Sequence, residues 1–134
     1  MNEPPSPQEV DEATRRRLSP AELKASRRIG ETWALTPYEV ASLLGMTSAE
    51  YDQALVNPEE IVLRPAQFYR AGLLISIFGA LRQLFDPPLA DRWPGRPNTG
   101  LLFGGRSAVK LMQEGGVESM KDVLKYLGAV GQGL

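Results

Sequence analysis

Apolar residues recur at helical spacing along most of this chain, and each run is opened or closed by a punctuating residue. Leu23, Ile29 and Trp33 share the inward face of a helix predicted over residues 21–33. Ser19-Pro20 opens it, as an N-cap followed by proline at the first helical position. Thr36-Pro37 repeats that start signal, and Glu39 completes a capping box. The helix so opened carries Val40, Ala41, Leu43 and Leu44 and stops at Gly45. Thr47 or Ser48 caps a short helix over about residues 49–56, which Asn57-Pro58 ends. A longer helix is predicted from Pro65 to Phe85. Its residues Phe68, Ala71, Leu74, Ile75, Phe78, Leu81 and Phe85 cover more than one face, so it should be central and buried on two sides. Gly72 and Gly79 fall on nearly the same side and permit close approach of another helix.

Asp86-Pro87-Pro88 breaks that helix, and the glycines and prolines of residues 91–105 read as a loop with fixed turns. Ser107 caps a helix to Gln113 or Glu114, closed by Gly115-Gly116. A last helix, Glu118 to Ala129, presents Met120, Val123, Leu124 and Leu127. No stretch alternates with period two for long enough to suggest a sheet. The expected fold is all-α, a helix-turn-helix half packed by the long central helix onto a small second helical half. Residues 1–18, with Pro4, Pro5, Pro7 and Arg15-Arg16-Arg17, read as a mobile tail. Residues 19–63 form the helix-turn-helix-like half, and 64–134 the second half with the central helix.

Composition narrows the chemistry. The 134 residues are 43% apolar, enough for one domain or two very small ones sharing a core. Cysteine and histidine are both absent, which removes disulfides, a thiol nucleophile, and the commonest general base and metal ligand. The glycine-rich stretch is no phosphate loop, because no Gly-Lys-Ser/Thr follows it. A non-enzyme with no cofactor and no metal is expected. The most apolar run, residues 71–81 between Arg70 and Arg82, is shorter than the roughly 20 residues that a membrane span needs. Met1 to Pro7 lacks an apolar signal core, so a cytoplasmic protein with no membrane partner is expected.

Charge divides the chain. Thr36 to Ser48 reads as the first helix and turn of a helix-turn-helix. Gly45 reverses the chain there, Ala41 stays small where the helices cross, and Val40, Leu44 and Leu55 pin the second helix. That second helix should expose Ser48, Ala49, Glu50, Asp52 and Gln53, with Tyr51 partly exposed. From Glu31 to Leu63 there is no Lys or Arg against Glu31, Glu39, Glu50, Asp52, Glu59 and Glu60, a net −6. Affinity for duplex DNA rests largely on neutralised phosphates, which this surface would repel. Phosphate contacts are left to Lys24, Arg27, Arg28, Arg64 or the tail arginines; Gln53 could read adenine and Glu50 or Asp52 cytosine, with Ser48, Ala49 and Tyr51 on the same helix as further candidate DNA contacts. Operator binding and a helix-turn-helix kept only for its shape both fit. Residues 61–110 reverse the sign: Arg64, Arg70, Arg82, Arg92, Arg96, Arg106 and Lys110 face Asp86 and Asp91, a net +5. This half is either simply solvated or complementary to an acidic or phosphate-bearing partner.

The order of motifs in this half is specific. Asp91-Arg92-Trp93-Pro94, Pro97-Asn98, Leu102-Phe103-Gly104-Gly105-Arg106-Ser107, Leu111-Met112 and Gly115-Gly116 together resemble the Xre/MbcA/ParS antitoxin family. The resemblance covers about residues 20–131, including the helix ending Leu84-Phe85 and the closing helix from Val123 to Val130. It implies an antitoxin whose second half covers the active-site entrance of a RES-domain, NAD-degrading toxin. It also implies a homodimer whose helix-turn-helix half often represses its own operon. Carried onto this chain, the toxin-facing residues are Trp93, Asn98, Phe103, Gly104, Gly105, Arg106 and the end near Leu134. Each has a plainer role open to it. Trp93 can anchor the core, Gly104-Gly105 can supply backbone conformations barred to other residues, and Asn98 can close a turn. Arg106 is best placed for contact, through bidentate hydrogen bonds to a carboxylate. Ala108 stands where many relatives have proline, a change the first turn of a helix tolerates. The alternative function is a stand-alone helix-turn-helix transcriptional regulator.

Overall fold

The computed structural model describes residues 3–133. Among them the chain is all-helical, with six helices: α1 (Glu12–Thr32), α2 (Pro37–Leu44), α3 (Ser48–Val56), α4 (Pro65–Leu84), α5 (Pro87–Arg92) and α6 (Ala108–Gly131). Helix α4 is the hub and packs most extensively on α6 and α1. Its Leu73, Leu74, Ile77 and Leu81 join one core with Leu23 and Ile29 of α1 and with Met120, Val123, Leu124 and Leu127 of α6. Apolar residues on more than one face of α4 thus find two flanking helices, the arrangement that the pattern predicts. No helix of the described residues is long and apolar enough to cross a membrane.

Two start signals act as expected. Thr36 Oγ1 accepts from Glu39 N–H while Glu39 Oε1 accepts from Thr36 N–H, a complete capping box for α2, and Gly45 ends that helix at φ 73°. Of the two candidate caps for α3, Thr47 takes the role and forms a second capping box with Glu50. Val40, Ala41, Leu43 and Leu44 are buried, and α2 and α3 pack together as a compact two-helix unit.

The first helix departs from expectation. It starts at Glu12, capped by Asp11, whose carboxylate accepts from Thr14 N–H at 2.7 Å, and Pro20 lies inside it. An interior proline forfeits one backbone hydrogen bond and crowds the carbonyl four residues back, costing roughly 3 kcal/mol. Long-range bonds at the same turn offset this. Ser19 is fully buried; its hydroxyl donates to Arg15 O at 2.6 Å and accepts from Leu63 N–H at 2.9 Å. The Arg15 guanidinium donates to Leu63 O at 2.6 Å. Ser19, read as an N-cap, is therefore a clamp that fixes the α3–α4 linker to α1. The stretch read as a mobile tail is ordered by the same clamp and by its own contacts: Tyr69 Oη donates to Glu3 Oε1 at 3.1 Å, and Pro4 lies over Gly72.

A further difference lies downstream. Pro87-Pro88 does not only break α4; it opens α5, because prolines at the first two positions have no N–H that the helix needs. The break predicted at Gly115-Gly116 is present: α6 is two helical segments that meet in a kink at Gly116 (φ 65°, ψ −143°). Arg70 of α4 reaches both halves, donating to Leu43 O at 3.4 Å and lying beside Gly45 and Gly116, and burial lowers its pKa.

Ser19→Ala should lower the unfolding free energy by about 1–3 kcal/mol, since it strands the buried Leu63 N–H. Urea denaturation measures this, and an unchanged midpoint would refute the clamp. Burial raises the Glu22 carboxyl to about 7, with Oε2 lacking a partner. Its folded pKa exceeds its unfolded one, so this group's contribution is full at low pH and is lost as pH rises toward 7. Partial exposure screens the effect, so Glu22→Gln should stabilise by on the order of 1 kcal/mol at pH 8. The gain should vanish at pH 4, and melting curves at both pH values would show it.

Candidate functional site

Residues 96–107 lead from α5 to α6 and form a tightly tied loop. Pro97 and Ser107 make an isolated antiparallel bridge. Asn98 N–H donates to Arg106 O at 3.1 Å, and Gly105 N–H donates to Asn98 O at 2.9 Å. Asn98 Oδ1 accepts from Gly100 N–H at 2.8 Å, which closes the turn through the asparagine side chain. Gly104 and Gly105 follow at φ 59° and 88°, a backbone that L side chains rarely adopt, and no neighbour crowds either. Ser107 then caps α6, its hydroxyl accepting from Lys110 N–H at 3.0 Å.

An aromatic cluster anchors this loop. Phe103 is fully buried, edge-on to Trp93 (ring centroids 5.6 Å apart) and to Tyr126 of α6 (5.1 Å). Trp93 stacks on Tyr126 at 6.2 Å. Such pairs add roughly 0.5–1.5 kcal/mol each beyond burial. The expectation that Phe103 faces a partner is therefore corrected: it is the plug that holds the loop shut, and Trp93, half-buried, is mainly its neighbour. What the loop does present is Leu101, 104% exposed at its apex. Sequence reasoning missed Leu101. The signal was Leu101-Leu102-Phe103 in a glycine-rich turn, too short to bury three consecutive apolar side chains.

Arg106 is exposed; its Nε donates to Phe103 O at 3.0 Å and Nη1 reaches Glu114 at 3.4 Å. One face of its guanidinium chemistry is thus spent on the loop and the rest is outward. Arg82 grips Asp91 with two bonds of 2.9 Å, fixing α5 to α4 just before the loop. Leu134 lies outside the described residues.

The DNA-contact candidates divide. Arg27 and Arg28 are exposed on α1, and Ser48, Ala49 and Gln53 are exposed on α3. Tyr51 is not available: it is 2% exposed, and burial raises its pKa. Arg64 pairs with Glu50 at 3.0 Å. The Thr47 N–H and then Arg64 hold the Glu50 carboxyl below its usual range, so it stays charged on the helix that would meet DNA. Asp52 beside it is exposed. The loop 96–107 is thus tied into one compact unit with Trp93 and Tyr126, whereas the DNA candidates stay scattered around an acidic face.

No family model matches the chain. An uncharacterized protein, y4oB of Sinorhizobium fredii, is 35% identical over 116 residues, which span 82% of this chain and 84% of that protein.

Phe103→Ala should cost about 3–5 kcal/mol of stability, as expected for an emptied aromatic core site. Leu101→Asp should change stability by no more than about 0.5 kcal/mol. Chemical denaturation of both variants tests the assignment, and equal losses would overturn it.

Proposed function

We propose that this chain, which belongs to the same family as y4oB of Sinorhizobium fredii, is an antitoxin-type inhibitor that grips a RES-domain toxin through the loop 96–107. The observation that carries this reading is Leu101, wholly exposed on a loop tied by four elements of local structure: the bridge, the asparagine turn, the buried Phe103 and the capped α6. Burying a leucine is worth roughly 1.5–3 kcal/mol, and a partner that covers Leu101 recovers it. A rigid loop surrenders little entropy on docking, so more of that gain survives as affinity. The basic character of the same half suits an acidic active-site rim. The resemblance in motif order supplies the toxin class, and in this reading the protein is a cytoplasmic homodimer without catalytic activity.

The alternative, a stand-alone transcriptional regulator, is supported by the well-capped α2–α3 unit. It is opposed by the charge: Glu50 and Asp52 lie on the helix that would enter the groove, and Arg64 is engaged by Glu50. Shape without phosphate anchors favours the inhibitor as the main role.

Co-expression with a RES-type toxin encoded beside it tests this. The wild-type chain should restore growth and cellular NAD. Leu101→Asp combined with Arg106→Glu should weaken the purified complex by about 30-fold or more while leaving the fold intact. Undiminished neutralisation by that variant would sink the placement of the interface. Tight, salt-resistant operator binding by the chain alone would favour the regulator.

A further inference from the structure

Beside the loop, a second feature has a distinct chemistry. A groove runs between the end of α1 and the turn that precedes the loop. One part, of about 770 Å³, is lined by Trp33, Ala34, Arg92 and Arg96 among others. An adjoining part, of about 290 Å³, shares Trp33, Ala34 and Gly95 and extends to Lys110. Gly95 leaves the junction open, with no atom near the place a side chain would occupy.

The groove concentrates uncompensated positive charge. Arg92, Arg96 and Lys110 are exposed and form no ion pair among the described residues. Of the two acids that line it, Asp91 is paired with Arg82, whereas Glu39 accepts from the Thr36 N–H without meeting a cation, so three free cations stand against one acid. Its floor holds an orphan donor. Trp33 is 5% exposed, and its indole N–H finds no acceptor among the described residues. A buried donor without a partner is destabilising. Like charges gathered along one groove raise the local potential toward an anionic visitor.

We infer that this groove binds an extended acidic peptide segment of another protein, its carboxylates meeting Arg92, Arg96 and Lys110. Single-stranded nucleic acid fits worse, since it needs exposed aromatic faces for stacking and Trp33 is buried. The inference shares Arg96 with the loop 96–107 but uses neither Leu101 nor Arg106, and it stands without that reading.

Titration of the full, isotopically labelled chain with a hexaglutamate peptide tests it by two-dimensional NMR. The expected result is saturable binding that moves the Trp33 indole N–H and the Gly95 amide and weakens with salt. Arg92→Glu with Arg96→Glu should lower the affinity by about tenfold or more with unchanged melting temperature. Leu101→Asp with Arg106→Glu should bind the peptide as the wild type does, which separates this site from the loop. Non-saturable shifts, undiminished binding by the charge-reversed chain, or tighter binding of oligothymidylate would each overturn the assignment.

Discussion

A helix that is apolar on more than one face cannot end at a surface, and in this chain everything else is arranged around that constraint. Helix α4 buries Leu73, Leu74, Ile77 and Leu81 almost completely. It does so because α1 lies along one flank and α6 along another. The helix-turn-helix half and the loop-bearing half therefore share one core. Arg70 adds a polar link at the same level, its guanidinium set between the α2–α3 turn and the bend of α6. Neither half can shift far without disturbing α4, so whatever binds the loop is held at a fixed place relative to α3.

The same logic, at smaller scale, explains the loop. A stretch with this many glycines would ordinarily sample many conformations, and folding it carries a correspondingly large entropy. Phe103 offsets that by packing edge-on against the stacked Trp93 and Tyr126. Once Phe103 is buried, its neighbour Leu101 is carried outward, because the turn closed by Asn98 and Gly100 leaves no room to bury both. The exposed leucine is a consequence of the plug. A surface built in this way is pre-shaped before any partner arrives.

Local signals in the sequence were read well where they acted locally. The capping box at Thr36 and Glu39, the stop at Gly45, the span of α4 and the cap at Ser107 all act within a few residues, and each appears as expected. What escaped was decided at a distance. Ser19-Pro20 has the form of a helix start, yet the hydroxyl of Ser19 is taken by Leu63, far along the chain. That contact lets the proline sit within α1. The pattern of α3 alone leaves Tyr51 partly exposed and does not reveal its burial in the folded chain; Phe103 reads as a surface residue because one of its ring partners belongs to a later helix. Proline pairs carry both meanings, breaker and starter, and only the packing of Ala90 decided in favour of α5.

Charge supplies the last step. The helix-turn-helix half spends its acids on caps: Glu39 on α2, Glu50 on α3. These bonds hold the two carboxylates at the helix N-termini, where the dipole favours negative charge. The acidity that opposes DNA is thus partly a device for holding short helices together. The basic residues of the other half are not used in that way. Arg82 is consumed by Asp91, but Arg92, Arg96 and Lys110 make no ion pair among the described residues. Cations clustered without partners repel one another and weaken the compact state. Folding alone therefore gives no account of where these three stand, whereas binding an anionic surface does.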